Sequence, residues 1–181
     1  MFGVRSREQE NKNSEFLKLL EGRLQVLYRI AYSYYKDKDK ASDAVQDSIL
    51  IAYKNITMLK DKGKFNSWIT TILVNCCRES LRRDNKIHFE EYEEKVIDIG
   101  RLYEKNGTNS FSNIDDKLYI LNILQSLDEK YSEVIRLKYL GDYTLAEIST
   151  ILDIPVGTVK SRLNVGIKQL KSLMEVDKSV L

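Results

Sequence analysis

One proline in 181 residues, eight glycines and two cysteines leave this chain few of the devices that build turn-rich or disulfide-stapled folds. Sustained β-branched alternation is also missing, which removes the pattern of half-buried strands. Cys76 and Cys77 are adjacent, no CxxC partner exists, and His88 is the single histidine, so neither a disulfide framework nor a zinc site has support. Two readings of the pair stand: a reactive thiol, or two small packed hydrophobes. No apolar run approaches the ~18 residues of a membrane helix, and the charged start Met1-Phe-Gly-Val-Arg-Ser-Arg7 lacks a secretory pattern. The expected location is the cytosol. Without a metal-ligand cluster or a Gly-rich phosphate loop there is nothing to which catalysis, a metal, a cofactor or a small-molecule substrate could be assigned.

What is present is helical. Apolar residues recur at helical spacing over 14–36, 40–57, 66–84, 116–127, 129–140, 144–152 and 155–174, which predicts an all-α fold. A 43% hydrophobic content suffices for one core or two small ones. After Lys86 the composition turns acidic, then polar at Asn106-Gly-Thr-Asn-Ser110, a stretch that cannot bury a core. The chain therefore divides into two small helical domains, 14–86 and 116–174, joined by a flexible acidic linker over 87–115, with tails at 1–13 and 175–181. Asn113 with Asp116 is placed to cap the helix that opens the second domain, and His88 reads as an incidental exposed residue beside the linker.

The net charge of +2 is too small for a nonspecific nucleic-acid coat, so any such binding has to come from local asymmetry. That asymmetry exists. From Asp153 to Lys171 four cations (Lys160, Arg162, Lys168, Lys171) stand against one anion, whereas from Phe89 to Asp116 eight carboxylates outnumber three cations.

The basic stretch belongs to a two-helix pattern between Tyr143 and Leu163. Leu145, Ile148, Ile151 and Leu152 repeat at helical spacing, Asp153 suits the left-handed residue that ends a helix, and Pro155 suits the start of the next. On that next helix Val159, Leu163, Ile167 and Leu170 share one side. Opposite lie Gly157, Thr158, Ser161, Val165 and Lys168, flanked by Lys160, Arg162 and Asn164. Small residues near the N-terminus permit close approach, and long donors reach base edges and phosphates, as a major-groove recognition helix requires. The plainer alternative is an amphipathic helix with a solvated basic face.

Two further helices carry mixed faces. Over 40–56, Ala41, Val45, Ile49, Ala52 and Ile56 form a buried stripe, while Leu50 and Ile51 sit opposite among Asp43, Gln46, Asp47 and Lys54. Either this is a protein-docking surface or a neighbouring helix buries the two aliphatics. Over 66–84, Thr71, Asn75, Arg78 and Arg82 align in a polar, basic stripe, with Trp68 beside it and Phe65 just before it. Aromatic and cationic groups together fit unpaired bases and a phosphate backbone. A plain core role for Trp68 fits equally well.

Ala41-Ser-Asp-Ala-Val-Gln-Asp47, then Phe65-Asn-Ser-Trp-Ile-Thr-Thr-Ile-Leu-Val-Asn75 with Arg82-Arg83, then Gly157-Thr-Val-Lys-Ser-Arg162 together resemble the extracytoplasmic-function (ECF) sigma factors of the bacterial sigma-70 family. The resemblance covers nearly the whole chain outside the linker and tails. It implies sigma domain 2 as a helical bundle over 14–86 and sigma domain 4 as a helix-turn-helix over 116–174. It also implies a dissociable initiation subunit of bacterial core RNA polymerase.

On that resemblance Asp43, Gln46, Asp47 and Leu50 meet the clamp helices of the largest core subunit. Phe65, Trp68, Asn75, Arg78 and Arg82 open and read the minus-10 element of promoter DNA, and Gly157, Thr158, Lys160, Ser161, Arg162, Val165 and Lys168 form the minus-35 surface. Melting costs about 1.4 kcal/mol of stacking per base step, offset by captured single-stranded bases and phosphate contacts. Control by a membrane-anchored anti-sigma factor, in a stress or envelope response, is implied as well.

Two stretches depart from the family pattern. Asn164-Val165-Gly166-Ile167 replaces an expected arginine and alanine, exchanging a phosphate contact for a thymine-methyl contact at Val165 and weakening the helix by roughly 1 kcal/mol at Gly166. Arg78-Glu79 replaces an Ile-Asp pair, which alters the minus-10 preference. The alternative function is a stand-alone helix-turn-helix regulator with a helical partner- or ligand-binding N-terminal domain.

Overall fold

The first helical pattern, expected to run unbroken over 14–36, is cut at Gly22. In the computed structural model, which describes residues 12–87 and 123–178, α1 occupies 12–20 and α2 occupies Leu24–Tyr35. Between them Gly22 takes a φ of +73°, a conformation that glycine adopts without strain. Lys36 then closes α2 in a left-handed conformation (φ 52°), its N–H donating to the Tyr32 carbonyl at 2.8 Å. Asp37 caps α3 (Lys38–Asn55), its carboxylate accepting from the Asp39 and Lys40 N–H groups at 2.8 and 3.0 Å. A two-residue link of this kind folds α2 and α3 into a helical hairpin. Short 3₁₀ turns at Ile56–Met58 and Lys62–Lys64 lead into α4 (Phe65–Ile87), which continues three residues beyond its expected end.

The first helical group closes on Leu27 and Ile30 of α2, Ala41 and Ala52 of α3, and Ile69 and Leu73 of α4, all buried. Alanines on the middle helix let its neighbours approach closely. Phe16 of α1 seals one end, edge-on to Phe65 at 5.8 Å and to Tyr53 at 5.4 Å. Lys40 pairs with Asp84 at 2.7 Å across α3 and α4.

In the second group α5 covers 123–126, and α6 (Glu129–Ile135) is capped by Asp128. The single helix expected over 129–140 instead widens into a π turn at Arg136–Leu140, with the Gly141 N–H reaching the Arg136 carbonyl at 3.2 Å. Just beyond it the chain reverses. Asp142 has a φ of 59°, and the Tyr143 ring lies so close to Gly141 that a Cβ there would sit 2.6 Å from the ring and 2.9 Å from the Leu137 carbonyl. Next come α7 (Leu145–Leu152) and α8 (Val156–Lys178), the latter packed on α6 and α7. Gly166 is a packing device as well as a weak helix former, because a Cβ would come within 2.9 Å of Ile135 Cδ1 and 3.2 Å of Tyr131 Cβ.

Among the described residues there is no strand, and the helices form two clusters that meet where α4 faces α7 and α2 faces the π turn. Expectations for the linker at 87–115, for the cap at Asn113 with Asp116, for His88, and for most of the 116–127 helix and both tails lie outside the described residues.

Candidate nucleic-acid and protein interfaces

The turn between α7 and α8 is fixed from both sides by Ser149. Its carbonyl accepts from Ile154 N–H at 3.1 Å, and its hydroxyl donates to the Ile154 carbonyl at 2.5 Å. Asp153 adopts the left-handed conformation (φ 54°) expected of it. Pro155 stands one position before the helix rather than within its first turn, its carbonyl accepting from Thr158 and Val159 at 2.8 and 3.0 Å. At the other end of α7, Thr144 and Glu147 form a reciprocal capping box.

On α8 Val159 is fully buried and Leu163, Ile167 and Leu170 are half-buried, whereas Gly157, Lys160, Ser161, Asn164, Val165 and Lys168 are exposed and Thr158 and Arg162 intermediate. The surface of small, hydroxyl and cationic groups therefore faces outward as one strip. The Ser161 hydroxyl donates to the Thr158 carbonyl at 3.0 Å. Asp128 is held below the usual carboxylate range first by its Lys130 partner and further by Arg162, so one anion lies within electrostatic reach of this strip.

On α3, burial of Leu50 and Ile51 by a neighbour is ruled out within the described residues: they are 51% and 40% exposed. Asp43, Gln46 and Asp47 are exposed on the same side, so an open apolar pair stands among carboxylates. The buried stripe is wider than expected and includes Ala44 and Ser48, because α2 and α4 both pack on α3.

α4 divides the expected minus-10 set. Asn75 and Arg82 are exposed, and Trp68 is half-buried, tilted 6.1 Å from the Phe65 ring. Phe65 is a correction: at 2% exposure, with Phe16 against it, its ring fills the space beneath α1 and presents nothing to a ligand. Cys77 is likewise core, and burial pushes its thiol up to about 12. The half-buried Cys76 thiol is raised too, first by burial and then by the nearby Asp47.

Arg78 is engaged within the chain. Its Nε and Nη2 donate to Oε1 and Oε2 of Glu133 at 2.5 and 2.6 Å, a two-pronged pair bridging α4 and α6. The Tyr34 hydroxyl donates to the same carboxylate at 3.3 Å, and the Arg136 guanidinium lies 4.3 Å from the Tyr34 ring centroid while pairing with Glu129 at 2.7 Å. Tyr143 shares a hydrogen bond with Thr70 at 2.6 Å and donates to the Asn66 carbonyl at 3.2 Å. None of Tyr34, Thr70, Glu133, Arg136 or Tyr143 stands out in the sequence, where a charged residue on a helix reads as solvated.

Among the described residues no group of His, Cys, Asp and Glu could hold a metal ion, and no helix is long and apolar enough to cross a membrane.

Known proteins match this arrangement along most of its length. The family description "Sigma-70 region 2" matches residues 19–87, and "Sigma-70, region 4" matches residues 117–170. The chain is 29% identical over 151 residues to the ECF RNA polymerase sigma factor SigW of Bacillus subtilis, covering 80% of this chain and 81% of that protein. Its fold is similar to that of the sigma factor RpoE in complex with the anti-sigma factor NepR from Bartonella quintana (TM-score 0.71, 24% identity, 90% and 98% of the two chains). It is also similar to that of CnrH in complex with the cytosolic domain of CnrY (TM-score 0.66, 20% identity, 91% and 90%). The two matched regions, in order and around the faces described above, make this chain a member of the ECF RNA polymerase sigma factors of the sigma-70 family.

Proposed function

We propose that the chain docks on bacterial core RNA polymerase through Asp43, Gln46, Asp47 and Leu50, within a first domain over 14–86. Trp68, Asn75, Arg78 and Arg82 of that domain capture the minus-10 element as it opens. The second domain, over 116–174, lays Gly157, Thr158, Lys160, Ser161, Arg162, Val165 and Lys168 on the minus-35 element as duplex. The reading is carried by the open α3 face, since an aliphatic pair left in water among carboxylates fits a partner that is both apolar and basic. The outward strip of α8 supports the minus-35 role, with the Val165 side chain available to a thymine methyl. Catalysis stays with the polymerase.

Work in the cytoplasm under an anti-sigma factor tethered at the membrane is part of the same proposal, supported by the two similar folds solved with bound partners. The test mixes purified core polymerase, this chain and a promoter library, and sequences the transcript starts. Defined starts that depend on the chain and share spaced minus-35 and minus-10 elements are expected. Unchanged start sites with and without the chain would end the proposal.

A further inference from the structure

The outward strip of α8 has a neighbour on α6 that helical periodicity does not connect with it. Gly166 is buried against α6, where a Cβ would stand 2.9 Å from Ile135 Cδ1 and 3.2 Å from Tyr131 Cβ, so the close approach of the two helices depends on a residue without a side chain. One turn before Tyr131, on the same face of α6, stands Asp128, and one turn before Gly166 on α8 stands Arg162. Their charges interact: the Asp128 carboxyl is held down by Lys130 first and by Arg162 in addition. We propose that Asp128 is a positioning residue for Arg162, a fixed anion beside α8 that aims the guanidinium at base edges rather than phosphates and so sets how selectively the minus-35 element is read. This rests on the assignment of Arg162 to the minus-35 surface.

The backbone around the carboxylate is fixed. Asp128 caps α6, its side chain accepting from the Lys130 N–H at 3.4 Å and its carbonyl from the Tyr131 and Ser132 N–H groups at 2.9 and 3.1 Å. Its pair with Lys130 Nζ at 2.8 Å is exposed on both sides and contributes little, which leaves the carboxylate able to engage Arg162. α8 itself carries no carboxylate between Val156 and Met174, so the anion has to come from a neighbouring element. Arg162 is half-exposed and makes no ion pair among the described residues, so its donors stay open to DNA. A lone arginine on such a surface is drawn to phosphates, which carry no sequence information. An anion at its side opposes that attraction by repelling the phosphates. It also engages one edge of the guanidinium, while the other edge is left to pair with N7 and O6 of guanine. The result is weaker binding to any duplex and sharper discrimination at one base pair.

The test uses core polymerase loaded with the full chain and a promoter duplex that the wild type selects from a pool randomised over the minus-35 element. Its single-base variants and a duplex scrambled over that element complete the set. Asp128→Asn keeps an oxygen for the cap and removes the charge. It is expected to bind the scrambled duplex about twofold more tightly and to lose about fivefold in discrimination at the base pair that Arg162 reads, the low end of what one bidentate contact supplies. In the Arg162→Ala background the same substitution is expected to leave discrimination unchanged, which a merely structural role for Asp128 would not. Helix content by circular dichroism is read for each variant, and if Asp128→Asn loses it, Asp128→Ser, a second neutral cap, takes its place. Unchanged discrimination by the well-folded neutral variant, or an equal loss with and without Arg162, overturns the proposal. So does a uniform loss of affinity across sequences in Arg162→Ala, the mark of a phosphate contact. Failure of Arg162→Ala to alter binding to any duplex removes Arg162 from the minus-35 surface and the proposal with it. Lost discrimination in Arg162→Ala with none in Asp128→Asn removes the positioning role alone.

Discussion

At the scale of single residues, small side chains decide how closely the helices meet. Gly141 carries no unusual φ, but the Tyr143 ring and the Leu137 carbonyl occupy the place of its absent Cβ. Gly141→Ala is therefore expected to lose about 1–3 kcal/mol of stability by overpacking, read as a lower thermal midpoint. Arg162 is half-exposed on the outward strip of α8. Arg162→Ala is expected to weaken minus-35 binding by about 1–3 kcal/mol, with relaxed specificity at one position if it meets a base and a uniform loss across sequences if it meets only phosphate. Binding titrations on a set of single-base variants separate the two.

At the scale of helices, end chemistry and exposed faces have separable effects. Glu147 is held below the usual carboxylate range first by the Thr144 N–H and then by the Thr144 hydroxyl. A lowered carboxylate pKa adds stability where the group is ionised in both states, above its unfolded value of about 4.3, and that stability fades as pH falls through the folded value. Thr144→Ala is expected to cost about 1 kcal/mol at pH 7 and to keep most of that deficit in acid, because the bond from Glu147 N–H to the Thr144 hydroxyl does not titrate and only the hydroxyl's bond to the Glu147 carboxylate fades as pH falls, read in denaturant melts at the two pH values. On α3, Asp47→Arg combined with Leu50→Ala is expected to weaken core polymerase binding by about 2 kcal/mol or more while circular dichroism stays unchanged. Undiminished pull-down of core would refute the docking face.

At the scale of the whole molecule, the proposed function assigns the two helical groups to different forms of DNA, one to duplex and one to opened strands. Asn75→Ala is accordingly expected to spare binding to a minus-35 duplex yet impair strand opening, seen as reduced permanganate reactivity of the melted region. Arg78 lies between the two groups, paired with Glu133.

The amino-acid sequence by itself determined the helical class, the positions of most helices to within a few residues, and the outward strip of α8. Each follows from local periodicity and end chemistry: 3.6-residue spacing of apolar side chains and a left-handed Asp153. Tertiary structure alone decided the rest. Whether Leu50 and Ile51 were covered, whether Phe65 was surface or core, and which carboxylate met Arg78 depend on what stands opposite each residue in space. A single helix cannot specify that, because its faces record which side is apolar and not which neighbour arrives to cover it. The π turn at Arg136–Leu140 escaped for the same reason, packing across the fold with Tyr143 folded onto Gly141, whereas the break at Gly22 is local, a left-handed glycine with nothing standing where its Cβ would be.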